Sequence, residues 1–154
     1  MTTKVYENPS SRMAIFRFQG TSPAAASVAA IDDPLERLES YEEFVAYADL
    51  VGATGGTLDV RIQQDLEPSS GVWRDWLAFS QLAAGAAAIS QAAAATDRNL
   101  PAVTVGGSTP ALTSANGNIG RPASRIRVVA TAGSGTSAGA AVTVWLICRR
   151  KAAG

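Results

Sequence analysis

The chain has 154 residues, carries thirteen acidic and thirteen basic side chains for a formal net charge of zero, and contains no histidine and a single cysteine. A length of this order suits one domain with one core. Zero net charge removes the usual electrostatic argument for nucleic acid or an anionic membrane as a partner, and the lone Cys148 excludes an internal disulfide framework. The missing histidine takes with it the commonest general base, the commonest zinc ligand and the Ser-His-Asp and Cys-His arrangements.

Residues 1–40 differ in composition from the remainder. Met13 to Phe18 reads as a short strand, flanked by Asn8-Pro-Ser-Ser11 and by an Ala/Ser-rich run from Thr21 to Ala30 that offers little to a core. The segment is expected to be an extended arm holding one strand, of the kind that becomes ordered against neighbours in an assembly. Asp33-Pro-Leu-Glu-Arg-Leu-Glu39 has a capping acid, a proline at the first helical position and leucines at helical spacing, which predicts one or two helical turns.

From Tyr41 onward the pattern is that of strands. Phe44, Ala46, Ala48 and Leu50 alternate with Val45, Tyr47 and Val51, ending at a glycine-rich turn over 52–56 that predicts a hairpin. Leu58, Val60 and Ile62 alternate with Asp59, Arg61 and Gln63, and Glu67-Pro-Ser-Ser-Gly71 supplies turn chemistry before a strand from Val72 to Leu82. In that strand Trp73, Leu77 and Phe79 are assigned one face and Trp76 the other. The alanine-rich stretch 83–95 has high helical propensity but no large apolar stripe to anchor a helix, so helix and close-packed strand both stay open. Residues 101–123, rich in Gly, Ser, Thr, Asn and Pro, read as loop. Two strands close the chain: Arg125 to Thr131 with Ile126, Val128 and Ala130 inward, and Ala141 to Arg149 with Val142, Val144, Leu146 and Cys148 inward, joined by a glycine-rich hairpin connection. Trp145 and Ile147 make the outer face of the last strand apolar as well, so it is either covered on both sides or meets another chain. The fold class is all-β: an antiparallel, jelly-roll-like β-sandwich over 41–154 preceded by an extended N-terminal arm over 1–40.

Every acid lies at or before Asp97. Thirteen acids against six cations give that part a charge of minus seven, and the seven cations beyond it give plus seven. Either strands of the two parts interleave and neutralise one another, or the molecule has two charged poles. The remaining chemical motifs are weak. The glycine-rich segments lack the Lys-Ser/Thr ending of a phosphate loop, Asp65, Glu67 and Ser69 lack the spacing of a calcium loop, and the carboxylate pairs sit beside turns, where acids are solvated or capping. Trp73 and Trp76 could stack on sugar rings, but packing or subunit contact is the simpler role for aromatics on one strand. The thiol of Cys148, in an apolar run, reads as buried. No apolar run approaches the roughly 20 residues that a membrane-spanning helix needs, and no signal peptide is evident, so a soluble protein made in a reducing cytoplasm is expected.

The stretch Gly56-Thr-Leu-Asp-Val-Arg-Ile-Gln63, followed by a polar turn, Trp73-Arg-Asp75 and Phe79-Ser-Gln-Leu82, resembles a pattern found in small β-sandwich structural proteins of tailed bacteriophages. Those proteins commonly close with a basic strand like Arg125-Ile-Arg-Val128 and a hydrophobic one like Val142 to Ile147. The likeness runs from Tyr41 onward and departs at the turn, where Asp65 to Gly71 replaces a shorter acidic form. It implies a non-enzymatic virion component without a cofactor or metal: a capsid decoration or cement protein on the capsid surface, made in the host cytoplasm, binding the major capsid protein, often as a trimer. Phe16, Phe18, Trp76, Arg125, Arg127, Trp145 and Ile147 are the expected partner or oligomer contacts. A neck or tail component of a virion and a carbohydrate-binding module are the alternatives.

Overall fold

The computed structural model describes residues 2–24, 27–51, 56–67, 71–79, 82–83, 88–96, 123–134 and 139–152. The strands are β1 (Thr3–Asn8), β2 (Met13–Thr21), β3 (Val28–Ala30), β4 (Tyr41–Val51), β5 (Thr57–Glu67), β6 (Val72–Ala78), β7 (Leu82–Ala83), β8 (Ala88–Thr96), β9 (Ile126–Ala132) and β10 (Ala141–Arg150). Sheet A runs β1-β2-β10-β4-β8 and sheet B runs β3-β9-β5-β6, with β7 also pairing β5. Each of these ladders is antiparallel. The expected all-β antiparallel sandwich is the architecture observed.

Alternation sets which side chains go inside. Phe44, Ala46 and Ala48 of β4, Leu58, Val60 and Ile62 of β5, Ile126, Val128 and Ala130 of β9, and Val142, Val144, Leu146 and Cys148 of β10 are all buried, as their period-two spacing predicts. The two sheets meet through these faces: Phe44 of sheet A and Trp76 of sheet B stand edge to face with ring centroids 5.3 Å apart.

Connectivity departs from the expectation in two places. The glycine-rich turn after β4 and the connection between β9 and β10 do not close hairpins, because β4 and β10 lie in sheet A while β5 and β9 lie in sheet B. A turn signal marks where a strand ends; which sheet the next strand joins depends on partners distant in sequence. The β5–β6 hairpin is present, with Gly71 at φ 72 at the foot of β6.

Residues 1–40, expected as an arm, supply β1 and β2 to sheet A and β3 to sheet B, and they place Phe16, Phe18, Ile31 and Leu38 in the core. The predicted boundary between 40 and 41 falls where a 3-10 turn over Leu38–Ser40 runs directly into β4. In place of the predicted one or two turns around Asp33–Glu39 there is a bridge between Leu35 and Ile126 followed by that single 3-10 turn. Leu35 N–H and C=O both bond to Ile126, so the extended pairing takes the backbone groups a helix would have used. Gly20 makes room for this return of the chain, since a Cβ there would strike the carbonyl oxygen of Ile31.

The alanine-rich stretch contains a strand. Ala88–Thr96 pairs with β4 in unbroken register, Glu43 opposite Thr96 and Val51 opposite Ala88, so the ladder offered by β4 overrides helical propensity. Most of the expected loop over 101–123 lies outside the described residues.

The two oppositely charged parts of the sequence interleave in space. β10, from the basic end, lies between β2 and β4, and β9 lies between β3 and β5. Arg125 pairs with Glu36 and Asp65, Arg149 with Glu43, and Arg150 with Glu7. Among the described residues, interleaving thus pairs Arg125, Arg149 and Arg150 of the basic part with acids of the other.

Candidate functional site

The outer face of sheet A is apolar across four strands. Cross-strand register puts Arg17, Trp145 and Tyr47 in one row, and Ile15, Ile147 and Val45 in the next. Tyr6 of β1 stands beside Ile15, and Met13 extends the patch toward the start of β2. Tyr6 and Tyr47 are 43% and 41% exposed, while Trp145 and Ile147 are half-buried. Ile15, Tyr47, Asp49, Trp145 and Ile147 line a shallow trough of about 310 Å³. Polar residues close the patch at both ends, with the Arg149–Glu43 ion pair at one and Gln19, Thr143 and Asp49 at the other. The two-faced apolar character expected of the last strand is resolved by its position: β10 is the centre of sheet A, its inner residues fill the core, and Trp145 and Ile147 sit in the middle of the outer patch.

The outer face of sheet B is built from charged and amide groups. Trp73 stands opposite Asp65, and Asp75 opposite Gln63. Between Asp75 and Leu77 the pairing skips Trp76, because Gln63 faces Asp75 while Ile62 faces Leu77. This is a β-bulge, in which one strand carries an extra residue and its alternation shifts. It turns Trp76 and Leu77 together into the core and leaves Trp73 and Asp75 outside. The assignment of Trp73 to the face of Leu77, with Trp76 opposite, is therefore reversed.

A chain of hydrogen bonds crosses that face. Arg127 Nε and Nη2 donate to Gln63 Oε1 at 3.0 and 2.9 Å, Gln63 Nε2 donates to Asp75 Oδ1 at 2.7 Å, Arg61 Nη1 donates to Asp75 Oδ2 at 3.3 Å, and Arg61 Nη2 donates to Thr131 Oγ1 at 2.6 Å. The Arg127 guanidinium lies 4.3 Å from the centre of the Trp73 ring and that of Arg125 lies 5.4 Å from it, so the indole is held by two cations. Arg125 Nη1 also donates to Asp65 Oδ2 at 3.3 Å. Burial lowers the pKa of Arg127, opposed by the nearby carboxylate of Asp65 and reinforced by the like charge of Arg125.

The expected contact residues divide accordingly. Trp145 and Ile147 lie on the outer face of sheet A, and Arg125 and Arg127 on the outer side of sheet B. Phe16, Phe18 and Trp76 are corrected to core residues: they are 7%, 0% and 0% exposed, and Phe16 packs edge to face on Tyr41. Tyr6, Ile15 and Tyr47 share the outer face with Trp145 and Ile147 but were not among the expected contacts. The alternation of Val45 and Tyr47 opposite Phe44 and Ala46 carried the signal for the β4 part of the patch, but the joining of β1, β2 and β4 around β10 is a property of topology.

Asp65 and Asp75 are buried and engaged by arginine and glutamine side chains, so neither is the solvated turn acid expected of Asp65. Cys148 is buried, as its apolar run predicts, and burial pushes its thiol pKa up, away from the thiolate that nucleophilic chemistry needs.

No family model and no curated protein sequence matches the chain. Among solved structures it is similar to "Structure of infectious bursal disease virus Gt strain", with a TM-score of 0.39 and 10% identity over 100% of this chain. It is also similar to "Crystal structure of infectious bursal disease virus VP2 subviral particle", with a TM-score of 0.41 and 12% identity over 93% of this chain. The chain spans 38% of the length of each of those two chains. At these scores the likeness carries no argument about function.

Proposed function

We propose that the chain is a non-enzymatic structural component of a virion, and within that class a capsid decoration or cement protein that binds the major capsid protein on the capsid surface and stabilises the head together with further copies of itself. The observation that carries this reading is the apolar outer face of sheet A, which spans four strands around Trp145 and Ile147. Contiguous apolar surface of this kind marks a protein contact. The sequence resemblance to phage β-sandwich proteins supports it, since its residues build the β5–β6 hairpin and the closing strands β9 and β10. Sheet B, with Trp73 held under Arg125 and Arg127, offers a second and more polar face, so one face is available for copies of the chain and one for the capsid. Binding would draw on apolar area buried at about 25 cal/mol per Å², less the cost of immobilising the partners.

The geometry gives little support to sugar binding. Trp76 is in the core and the Trp73 ring is already covered by Arg127, so the two indoles do not form an open stacking platform. A neck or tail component would share these surfaces and differ in its place on the particle.

The test is co-sedimentation of the purified chain with undecorated tailed-phage capsids. Saturable binding at a stoichiometry fixed by capsid symmetry supports the decoration reading. A chain that stays in the supernatant at all concentrations overturns it, and binding only to isolated tails moves the assignment to the tail.

A further inference from the structure

β10 is the middle strand of the five in sheet A, with β2 and β1 on one side and β4 and β8 on the other. A half-turn about an axis along β10, lying over its outer face, therefore sets the sheet against itself: β10 meets β10, and β2 of each copy meets β4 of the other. The register rows carry over unchanged. Trp145 and Ile147 meet their own counterparts at the axis, Ile15 comes over Val45, Arg17 over Tyr47, and Gln19 over Asp49. This is the aligned mode in which two β-sheets pack face to face, about 30° from parallel.

Three observations make a second copy the fitting occupant. Arg17 is partly buried beside Trp145 with its Nε sealed from solvent and unsatisfied, and no hydrogen bond or ion pair engages its guanidinium among the described residues. The half-turn brings to it the Tyr47 ring of the second copy for a cation–π contact, and the Asp49 carboxylate two residues further along β4. The centre of the face is apolar, which is the composition of interfaces between copies of one chain more than of transient contacts. The area also suffices. Four strands about 4.8 Å apart with ladders about 30 Å long give roughly 600 Å² per copy, or about 1,200 Å² in total, at the lower end of the range of stable interfaces.

We propose that the outer face of sheet A is a twofold interface between two copies of this chain, with β10 on β10 and Arg17 of each copy reaching Tyr47 and Asp49 of the other. Such pairing is isologous, so it closes at two copies and differs from the threefold assembly that the phage resemblance implies. It holds whether or not the chain binds a capsid.

Sedimentation velocity and light scattering on the full chain over a range of concentrations read the outcome. A mass of twice 15.8 kDa is expected. Arg17→Glu and Asp49→Arg each place like charges together twice per dimer and should raise the dissociation constant by about 100-fold or more. Mixed one to one, the two variants should recover a dimer, because both contacts in the mixed pair are again between opposite charges. Ile147→Arg is the independent check: two guanidinium groups confront each other at the axis, and the chain should remain folded by circular dichroism and become monomeric. A wild type that is a monomer or a trimer, a mixture that fails to recover dimer from two folded variants, or an Ile147→Arg chain that dimerises as the wild type does would overturn the proposal.

Discussion

Removing one member of the Arg61–Asp75 pair should be far more damaging than removing both. The two groups lie 3.3 Å apart with each side chain 3% exposed. At that separation, with an effective dielectric constant of about 20, the attraction is about 5 kcal/mol. Withdrawing two ions from water costs several kcal/mol each, so the intact pair comes out near zero against apolar residues of similar size. Arg61→Met leaves the Asp75 carboxylate in its buried site without its cation and frees the Thr131 hydroxyl from its bond at 2.6 Å. The expected loss is about 3–5 kcal/mol, a large part of the roughly 5–15 kcal/mol by which a domain is stable. Asp75→Leu should cost a similar amount, since it strands Arg61 and releases the Gln63 amide. The double variant Arg61→Met/Asp75→Leu should fall within about 2 kcal/mol of wild type, giving a large favourable coupling in the cycle. Urea unfolding followed by tryptophan fluorescence measures all four proteins. A single Arg61→Met that costs less than about 1 kcal/mol, or a double variant whose loss equals the sum of the singles, would refute this account of the face.

Gly20→Ala should lower stability by about 1–3 kcal/mol, measured by thermal unfolding, because its Cβ meets backbone of Ile31 rather than a side chain that can swing away. Cys148 should react with a thiol reagent at about pH 8 on the order of 100-fold more slowly in the folded chain than in urea, since burial both shields it and holds it protonated. Glu7 has its pKa held below the ordinary 4.5 by the hydrogen bond from Lys4, against slight burial and with help from Arg150. A depressed folded pKa contributes stability that is present above 4.5 and lost as pH falls through the lower folded value. The gap in melting temperature between wild type and Glu7→Gln should therefore be seen near about pH 7 and shrink by about pH 3. A gap that widens on acidification would reverse the sign of this contribution.

What the sequence by itself determined is part of the strand set, β2, β4, β5, β6, β9 and β10, with the inner faces of β4, β5, β9 and β10; β1 and β3 read as arm, and β8 stays open between helix and strand. Period-two alternation marks Phe44, Ala46 and Ala48, Leu58, Val60 and Ile62, Ile126 to Ala130 and Val142 to Cys148 because a half-buried strand must separate apolar from polar residues at every second position. It also marked Trp145 and Ile147 as apolar residues on an outer face. The pairing of strands was decided only by tertiary structure, since hydrogen bonds of the ladder join backbones and carry no signature in the side chains of either strand alone. Hence β4 and β5, adjacent in sequence, part into different sheets, residues 13–21 become an interior strand of sheet A, and Ala88–Thr96 extends beside β4 where propensity by itself favours a helix. The bulge at Trp76 is of the same origin: one extra residue, defined only against β5, shifts the alternation and exchanges the places that simple spacing gives the two tryptophans. The split of charge along the chain was legible as a number, yet the pairing of Arg125 with Asp65 and of Arg149 with Glu43 required β9 and β10 to insert among strands of the acidic part. The outer patch follows the same logic, because Tyr6, Ile15 and Tyr47 lie on three strands that only the ladder around β10 brings side by side.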